Sequence, residues 1–385
     1  MIPYGKQDIN KADIDSVVNV LKSDFLTQGP QVPKFEKVIS DYCSVDFSIA
    51  VNSATSALHI ACLALGLKKG DILWTSPNSF VASANCGLYC GATIDFVDID
   101  SKTYNISIEE LEKKLIQARI DNTLPTIVVP VHFAGQSCDM KKIHKLSIDF
   151  GFKIIEDASH SIGGSYLDRP IGGCQYSDIT IFSFHPVKII TTAEGGLATT
   201  NSKELAEKMR LFRSHGISRD NSLMTKIPDG DWYYQQHNLG FNYRMTEIQA
   251  ALGISQFKRV DKFISSRYKL KKRYDSLLMG MPIVLPFQSS DSKSSFHLYP
   301  LQIENEKITK SRKDVFDELR TNGIGVNVHY IPIHLQPYYA GLGFKVGDFP
   351  NSEKYYNSAI SIPIYQSMTL EMQDKVCFAL ERALI

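Results

Sequence analysis

Excess charge of either sign is missing from this chain: across 385 residues, 42 Lys and Arg stand against 41 Asp and Glu. No long run of basic residues occurs, so the electrostatic footprint of a nucleic-acid binder is absent. No Cys-x-x-Cys pair occurs among the seven cysteines at 43, 62, 86, 90, 138, 174 and 377. Cys86 and Cys90 have no His or Cys pair at zinc-ligand spacing nearby, and no metal is expected. An odd, scattered set of thiols fits a reducing compartment, and a cytoplasmic location is expected. Neither a Gly-x-Gly-x-x-Gly turn nor a Walker sequence occurs, which removes the main support for a dinucleotide or P-loop reading. The first residues, Met1 to Asp8, lack the basic-then-apolar pattern of a leader.

Two long uncharged windows, 47–67 and 72–94, pass a length test for a membrane span. Their content argues otherwise. The first holds Asn52, Ser53, Thr55, Ser56 and His59, and the second Pro77, Asn78, Ser79 and Asn85. Both read better as strand–turn–helix units of an α/β core, so no membrane is expected as a partner.

What is present is alternation. Residues 8–22, with Asp8 as cap, and a stretch ending near Tyr42 predict two amphipathic helices. Strands at 47–51, 72–75, 93–97, 126–131 and 152–156 then alternate with helices at 54–65, 79–89, 107–117 and 139–150. Two more strands, 179–184 and 195–199, precede a helix over 202–213. This predicts a mostly parallel sheet covered on both faces. Residues 218–236 are polar and irregular, a loop suited to reaching an active site or a partner subunit. One long helix is expected from Glu247 to about Ser265, leading into a smaller α+β domain. That domain is expected to hold strands at 296–303 and 324–329 and helices at 311–322 and 369–384. The length divides accordingly into residues 1–245 and 246–385.

Ligands in such sheets bind at the carboxyl ends of strands. Asp157 ends the strand Phe152-Lys-Ile-Ile-Glu-Asp. A carboxylate there can hold a heteroaromatic nitrogen protonated, or simply cap a turn. His160 can stack on or bond to a planar ring, or serve as a satisfied turn histidine. Asn52-Ser-Ala-Thr-Ser-Ala57 sits where a strand becomes a helix, and its small residues let backbone N–H groups approach a phosphate. Ordinary Ser/Thr capping has the same appearance. Phe80 can cover a face of an aromatic cofactor or pack in the core. Lys188 lies in a short turn between two apolar strands, with Ser183 and His185 beside it. It is either a lysine snorkelling out of the turn or a desolvated amine fit for covalent work. A strand-end Asp, a turn Lys and a phosphate-sized helix start together point to pyridoxal 5′-phosphate.

The ordered set of segments is more specific than its parts. Leu26-Thr-Gln-Gly-Pro30, Asn52-Ser-Ala-Thr-Ser-Ala-Leu58, Glu156-Asp-Ala-Ser-His-Ser161 and Phe182-Ser-Phe-His-Pro-Val-Lys188 come first. Thr191-Thr-Ala-Glu-Gly-Gly196, Arg213-Ser-His-Gly216, Leu239-Gly-Phe-Asn-Tyr-Arg-Met-Thr-Glu-Ile-Gln249 and His329-Tyr-Ile-Pro-Ile-His334 follow. In this order they resemble the DegT/DnrJ/EryC1/StrS sugar aminotransferases. The resemblance implies the aspartate aminotransferase-like fold type I of pyridoxal-phosphate enzymes. It implies that Lys188 binds the cofactor covalently and then moves protons, and that Asp157 pairs with the pyridine nitrogen. His160 is implied near the ring hydroxyl, Phe80 on the ring face, and Ala54, Thr55 and Ser183 at the phosphate. Asn242 and Arg244 are implied to reach the phosphate of a neighbouring subunit, which makes the active unit a homodimer. Thr27, His185 and His329 are implied near the sugar.

Within the family, the lysine segment is similar to enzymes that aminate C4 of nucleotide-linked 4-keto-6-deoxy sugars. Residues 326–339 resemble the pseudaminic acid branch, which takes UDP-2-acetamido-2,6-dideoxy-β-L-arabino-hexos-4-ulose with L-glutamate as donor. The branch that makes the aminoarabinose of lipid A has a similar lysine segment and is the nearest alternative. A sugar dehydratase on the same fold has His where this chain has Lys188, which argues against it. A regulatory relative without catalysis is disfavoured by the intact Asp157 and Lys188.

Overall fold

The computed structural model describes residues 1–385. Its centre is a seven-stranded sheet made of β1 (Phe47–Val51), β2 (Ile72–Thr75), β3 (Thr93–Phe96), β4 (Ile127–Val129), β5 (Lys153–Asp157), β6 (Ile179–Ser183) and β7 (Gly196–Thr200). The strand order is β3-β2-β4-β5-β6-β7-β1. Pairs from β3 through β6 are parallel, whereas β7 runs antiparallel to both β6 and β1. The sheet is thus mostly parallel, as the alternating pattern predicts. β6 and β7 are buried at every position, as strands covered on both faces must be.

The chain enters through α1 (Lys11–Leu21) and α2 (Gln31–Cys43). Helices α3 (Ala54–Ala64), α4 (Ala82–Tyr89), α5 (Ile108–Asp121), α6 (Met140–Phe150) and α7 (Lys203–Arg213) then flank the sheet. The cap of α1 differs from expectation. Asn10, not Asp8, closes a capping box with Asp13. Asp8 is instead ion-paired with Arg259.

Arg259 also explains a second correction, since the helix expected to run unbroken past Glu247 is two helices. These are α8 (Glu247–Phe257) and α9 (Val260–Leu277), with Arg259 at φ −111° between them. Its guanidinium is held by Asp8 and by the fully buried Asp13. Anchoring to two carboxylates of α1 and its approach fixes the turn there.

Beyond α9, a second apolar core forms from Leu270, Tyr274, Leu301, Val315, Ile360 and Leu380, among others. Its sheet is β8 (Ile283–Val284), β9 (Tyr299–Ile303) and β10 (Ala359–Ile362), all antiparallel. The strand expected at 324–329 is absent. That stretch pairs only through isolated bridges, Ile324 with Ile2 and Asn327 with Ser361. Gly325 lets the N-terminal segment lie directly against this stretch, with its N–H donating to the Ile2 carbonyl. A Cβ there would meet the Ile2 carbonyl oxygen at 2.9 Å. The irregular 218–236 stretch contains one short antiparallel pair, Ile217–Ser218 with Gln235–Gln236. No helix is long and apolar enough to cross a membrane.

Candidate active site

Register brings three strand ends into one row: Val51 of β1 opposes Gly196 of β7, and Gly196 opposes Ser183 of β6. The chain leaves β1 and starts α3 after two intervening residues, with the Ser53 side chain accepting from Ser56 N. The Ala54 and Thr55 N–H groups have no partner in the chain. The backbone of β7 lies directly beneath them. A Cβ on Gly196 would sit 2.4 Å from both Ala54 N and the Ser53 carbonyl carbon. Glycine is therefore what allows the helix start to settle onto the strand. The result is two free amides at the positive end of a helix, with the Ser183 hydroxyl in the adjoining row. Such a place suits a phosphate.

Between β6 and β7 the chain makes a closed loop carrying Lys188. Phe184 anchors it, donating its N–H to Gly195 and accepting from Thr192 N and the Thr191 hydroxyl. Ile189 and Ile190 are buried beside the lysine. Lys188 is half-buried and does not snorkel into solvent. Desolvation pushes its pKa down to about 8, against an opposing pull from the Asp157 carboxylate. An amine in that state is partly neutral near neutrality, and so is both nucleophile and base.

Asp157 ends β5 and is buried. Its Oδ2 accepts from the Ser83 hydroxyl at 2.7 Å, and its Oδ1 from Ser159 N at 3.1 Å. Three residues on, His160 is buried, with Nε2 3.1 Å from the Tyr330 hydroxyl. Its ring lies 4.4 Å from that of His297. Burial, helped by Lys188 and His329, lowers its pKa well below that of a free imidazole. His329 holds Ser361 Oγ at 2.9 Å from Nδ1, and desolvation followed by Lys188 pushes its pKa down to about 3. The lysine therefore stands near one carboxylate and a set of neutral imidazoles.

Lys188, Asp157, His160 and His329 thus come together, and Ala54, Thr55 and Ser183 form the adjoining cradle. Phe80 follows β2 and is 60% exposed. Core packing is ruled out for it, and its carbonyl accepts from the N–H of Ser83, the residue that holds Asp157. Thr27 and His185 are exposed, the first in the connection between α1 and α2, the second at the mouth of the lysine loop. Asn242 and Arg244 lie outside β1, where Arg244 bridges Val51. Neither side chain is drawn into the lysine cluster by this chain alone.

Sequence reading missed Ser83, His297 and Tyr330. Ser83 stands one helical turn beyond Phe80, a spacing that marks it as a neighbour. Tyr330 carries no local signal, because its partner His160 lies 170 residues away in the chain.

Residues 7–381 match the model of the DegT/DnrJ/EryC1/StrS aminotransferase family. The chain belongs to this family. It is 38% identical to the spore coat polysaccharide biosynthesis protein SpsC of Bacillus subtilis, over 97% of this chain and 95% of that one. It is 37% identical to a UDP-4-amino-4,6-dideoxy-N-acetyl-beta-L-altrosamine transaminase of Campylobacter jejuni, over 96% of this chain and 94% of the relative. The solved structure of Helicobacter pylori PseC, an aminotransferase involved in pseudoaminic acid biosynthesis, superposes with a TM-score of 0.91. That alignment has 32% identity and covers 100% of this chain and 99% of PseC. The protein is a sugar aminotransferase of fold type I, and its cofactor is pyridoxal 5′-phosphate.

The residues present fit that cofactor. The unpaired Ala54 and Thr55 amides match its phosphate, the buried Asp157 carboxylate its ring nitrogen, and the half-buried Lys188 amine its aldehyde. The Nδ1 atom of His160 is buried without a partner, as a group that bonds to the ring oxygen would be in the chain by itself. When bound, the cofactor supplies an electron sink that acidifies the C–H bond beside the transferred nitrogen.

Proposed function

We propose that this protein moves the amino group of L-glutamate to C4 of UDP-2-acetamido-2,6-dideoxy-β-L-arabino-hexos-4-ulose, a step of pseudaminic acid biosynthesis. The residue roles are these. Lys188 takes the proton from the donor's α-carbon and returns one to the sugar carbon, its lowered pKa keeping a neutral fraction available. Asp157, steadied by Ser83 and Ser159, keeps the ring nitrogen protonated. Ala54, Thr55 and Ser183 hold the phosphate, Phe80 lies on the ring, and His160 bonds to the ring oxygen. Thr27, His185 and His329 contact the sugar nucleotide. Asn242 and Arg244 serve the phosphate of a second copy, so the working unit is a homodimer in the cytoplasm. The chain divides into a cofactor-binding part, 1–245, and a smaller part, 246–385.

The observation that carries the sugar assignment is the 326–339 run, whose His329 lies close enough for Lys188 to depress its pKa. The Campylobacter relative supports the same reading. A second reading, another nucleotide 4-ketosugar, is favoured by the equal likeness to SpsC and by 34% identity to the GDP-perosamine synthase of Caulobacter vibrioides. Transamination with glutamate against a panel of UDP-, dTDP- and GDP-linked 4-ketosugars decides between them, read by product mass and by NMR at C4. Absence of product from the UDP-N-acetyl-L-arabino-hexosulose, with turnover of another panel member, overturns the first reading and leaves the family assignment intact.

A further inference from the structure

His160 and Tyr330 form a pair that the residue roles above leave unexplained. The Tyr330 hydroxyl is 3.1 Å from His160 Nε2, with the two rings 23° from parallel. The Tyr330 hydroxyl has no other hydrogen-bond partner, and His160 Nδ1 has none at all. Two proton arrangements satisfy the distance. In one, Nε2–H donates to the phenol oxygen. The phenol hydrogen and the bare Nδ1 are then both left unpaired. In the other, the phenol donates to Nε2, and only an Nδ1–H group remains without a partner. Each buried polar group without a partner carries a desolvation penalty, so the second arrangement is favoured.

Both groups stay neutral in this setting. Burial holds the imidazole well below its ordinary pKa, and burial together with the Asp157 charge holds the phenol protonated. A flip of the ring would put Cε1 where Nε2 meets the Tyr330 hydroxyl and so lose that bond. The ring is also packed against its neighbours, with His297 at 4.4 Å and Phe133 at 6.3 Å. The backbone is also pinned, because the His160 carbonyl accepts from the Ser295 hydroxyl at 2.5 Å.

We propose that Tyr330 is a positioning residue that fixes His160 as the Nδ1–H tautomer, so that His160 presents a hydrogen-bond donor to the ring oxygen of the cofactor. A donor at that place stabilises the oxygen in its anionic form, which a bare Nδ1 would oppose. Tyr330 acts from the far part of the chain, and folding of the 246–385 segment against the sheet therefore sets the protonation pattern at the cofactor. The inference rests on His160 lying at the ring oxygen, but not on which sugar is used.

The test reads the tautomer directly. Protein labelled with 15N-histidine is recorded by two-bond 1H–15N correlation without cofactor, and His160 is assigned by its loss in His160→Gln. The expected pattern is a protonated Nδ1 and an unprotonated Nε2. In Tyr330→Phe the pattern should move to Nε2–H or to a mixture. A wild-type spectrum with Nε2–H, or a Tyr330→Phe spectrum unchanged from wild type, overturns the proposal. Should Tyr330→Phe not fold, the wild-type spectrum still decides. In the loaded enzyme, Tyr330→Phe should shift the pH at which the cofactor absorbance titrates and lower kcat about five- to tenfold, with KM for glutamate little changed. A titration that does not move, whichever sugar is used, also overturns it.

Discussion

Ser83 and Asp157 meet through a hydrogen bond of 2.7 Å, Oγ to Oδ2, linking the start of α4 to the end of β5. Ser83 is itself held by Ser79, 2.8 Å away, so the donor is oriented before any ligand arrives. A hydrogen bond to an ionised acceptor is among the stronger kind. Ser83→Ala should leave Asp157 short of one donor and less able to hold a pyridinium. We expect pyridoxal phosphate to bind about tenfold more weakly, the equivalent of about 1.4 kcal/mol. Absorbance titration of cofactor-free protein checks this. Unchanged affinity means that Ser83 is only a packing residue.

Lys188 lowers stability in the cofactor-free protein over a defined range of pH. Its folded pKa is about 8, whereas the unfolded chain has that of a free lysine, 10.5. Below about pH 8 both states bind the proton, and the full cost of burying the charge is present. Between about 8 and 10.5 the unfolded chain holds the proton while the folded chain sheds it, so stability rises with pH. Lys188→Met should therefore be more stable than wild type by about 1–3 kcal/mol below pH 8, with the gap narrowing towards pH 10. Urea unfolding at pH 7 and pH 10 measures it. The same variant should lose all turnover and all borohydride-reducible attachment of cofactor.

Gly196→Ala tests the cradle. The added methyl would lie 2.4 Å from the Ser53–Ala54 backbone, and neither β7 nor α3 can move without opening the sheet. A loss of about 3 kcal/mol of stability is expected, together with weakened binding of free inorganic phosphate to the cofactor-free protein. A variant with wild-type stability would mean that α3 is not seated on β7 as described.

The parallel sheet and its strand-end groups were legible because each is local. Apolar runs ending in Asp157 or leading into Ser53 carry their own periodicity and capping signals. Long-range pairings were not legible. Nothing near Lys258 signals a helix break, since the cause is Arg259 meeting Asp8 and Asp13 from the other end of the chain. The pairing of residues 324–329 is equally distant, with Ile2 at one end and Ser361 at the other. Tyr330 is hidden in the sequence because it meets His160 only across 170 residues of chain.

Glu247 shows how such a distant contact reaches the site. Helix α2 begins at Gln31 with no capping side chain of its own. Glu247 supplies the cap from α8, its carboxylate accepting from Gln31 N at 2.6 Å and Val32 N at 3.1 Å. Its own N–H donates to the Leu26 carbonyl, which secures the loop carrying Thr27. Glu247→Gln should cost about 1–2 kcal/mol in urea unfolding. If Thr27 contacts the sugar, the same variant should raise KM for the ketosugar while leaving KM for glutamate unchanged. Equal changes in both would place the 26–30 loop away from the substrate.

Arg244 provides the decisive test of a shared active site. β1 is the edge strand, and Arg244 lies beyond it, bridging Val51, with the Tyr243 carbonyl accepting from Asn52 N at 2.8 Å. Its guanidinium forms no ion pair within the chain, although it is half-buried. A cation so placed suits an anion brought by a second copy. Arg244→Ala and Lys188→Ala should each be inactive alone. In a mixed dimer of the two, one site joins two altered residues and the other joins two intact ones. Unfolding and refolding an equal mixture makes about half of the dimers mixed, each with one working site, so activity should return to about a quarter of wild type. If Arg244 serves its own subunit instead, every site in the mixture lacks one residue or the other, and no activity returns.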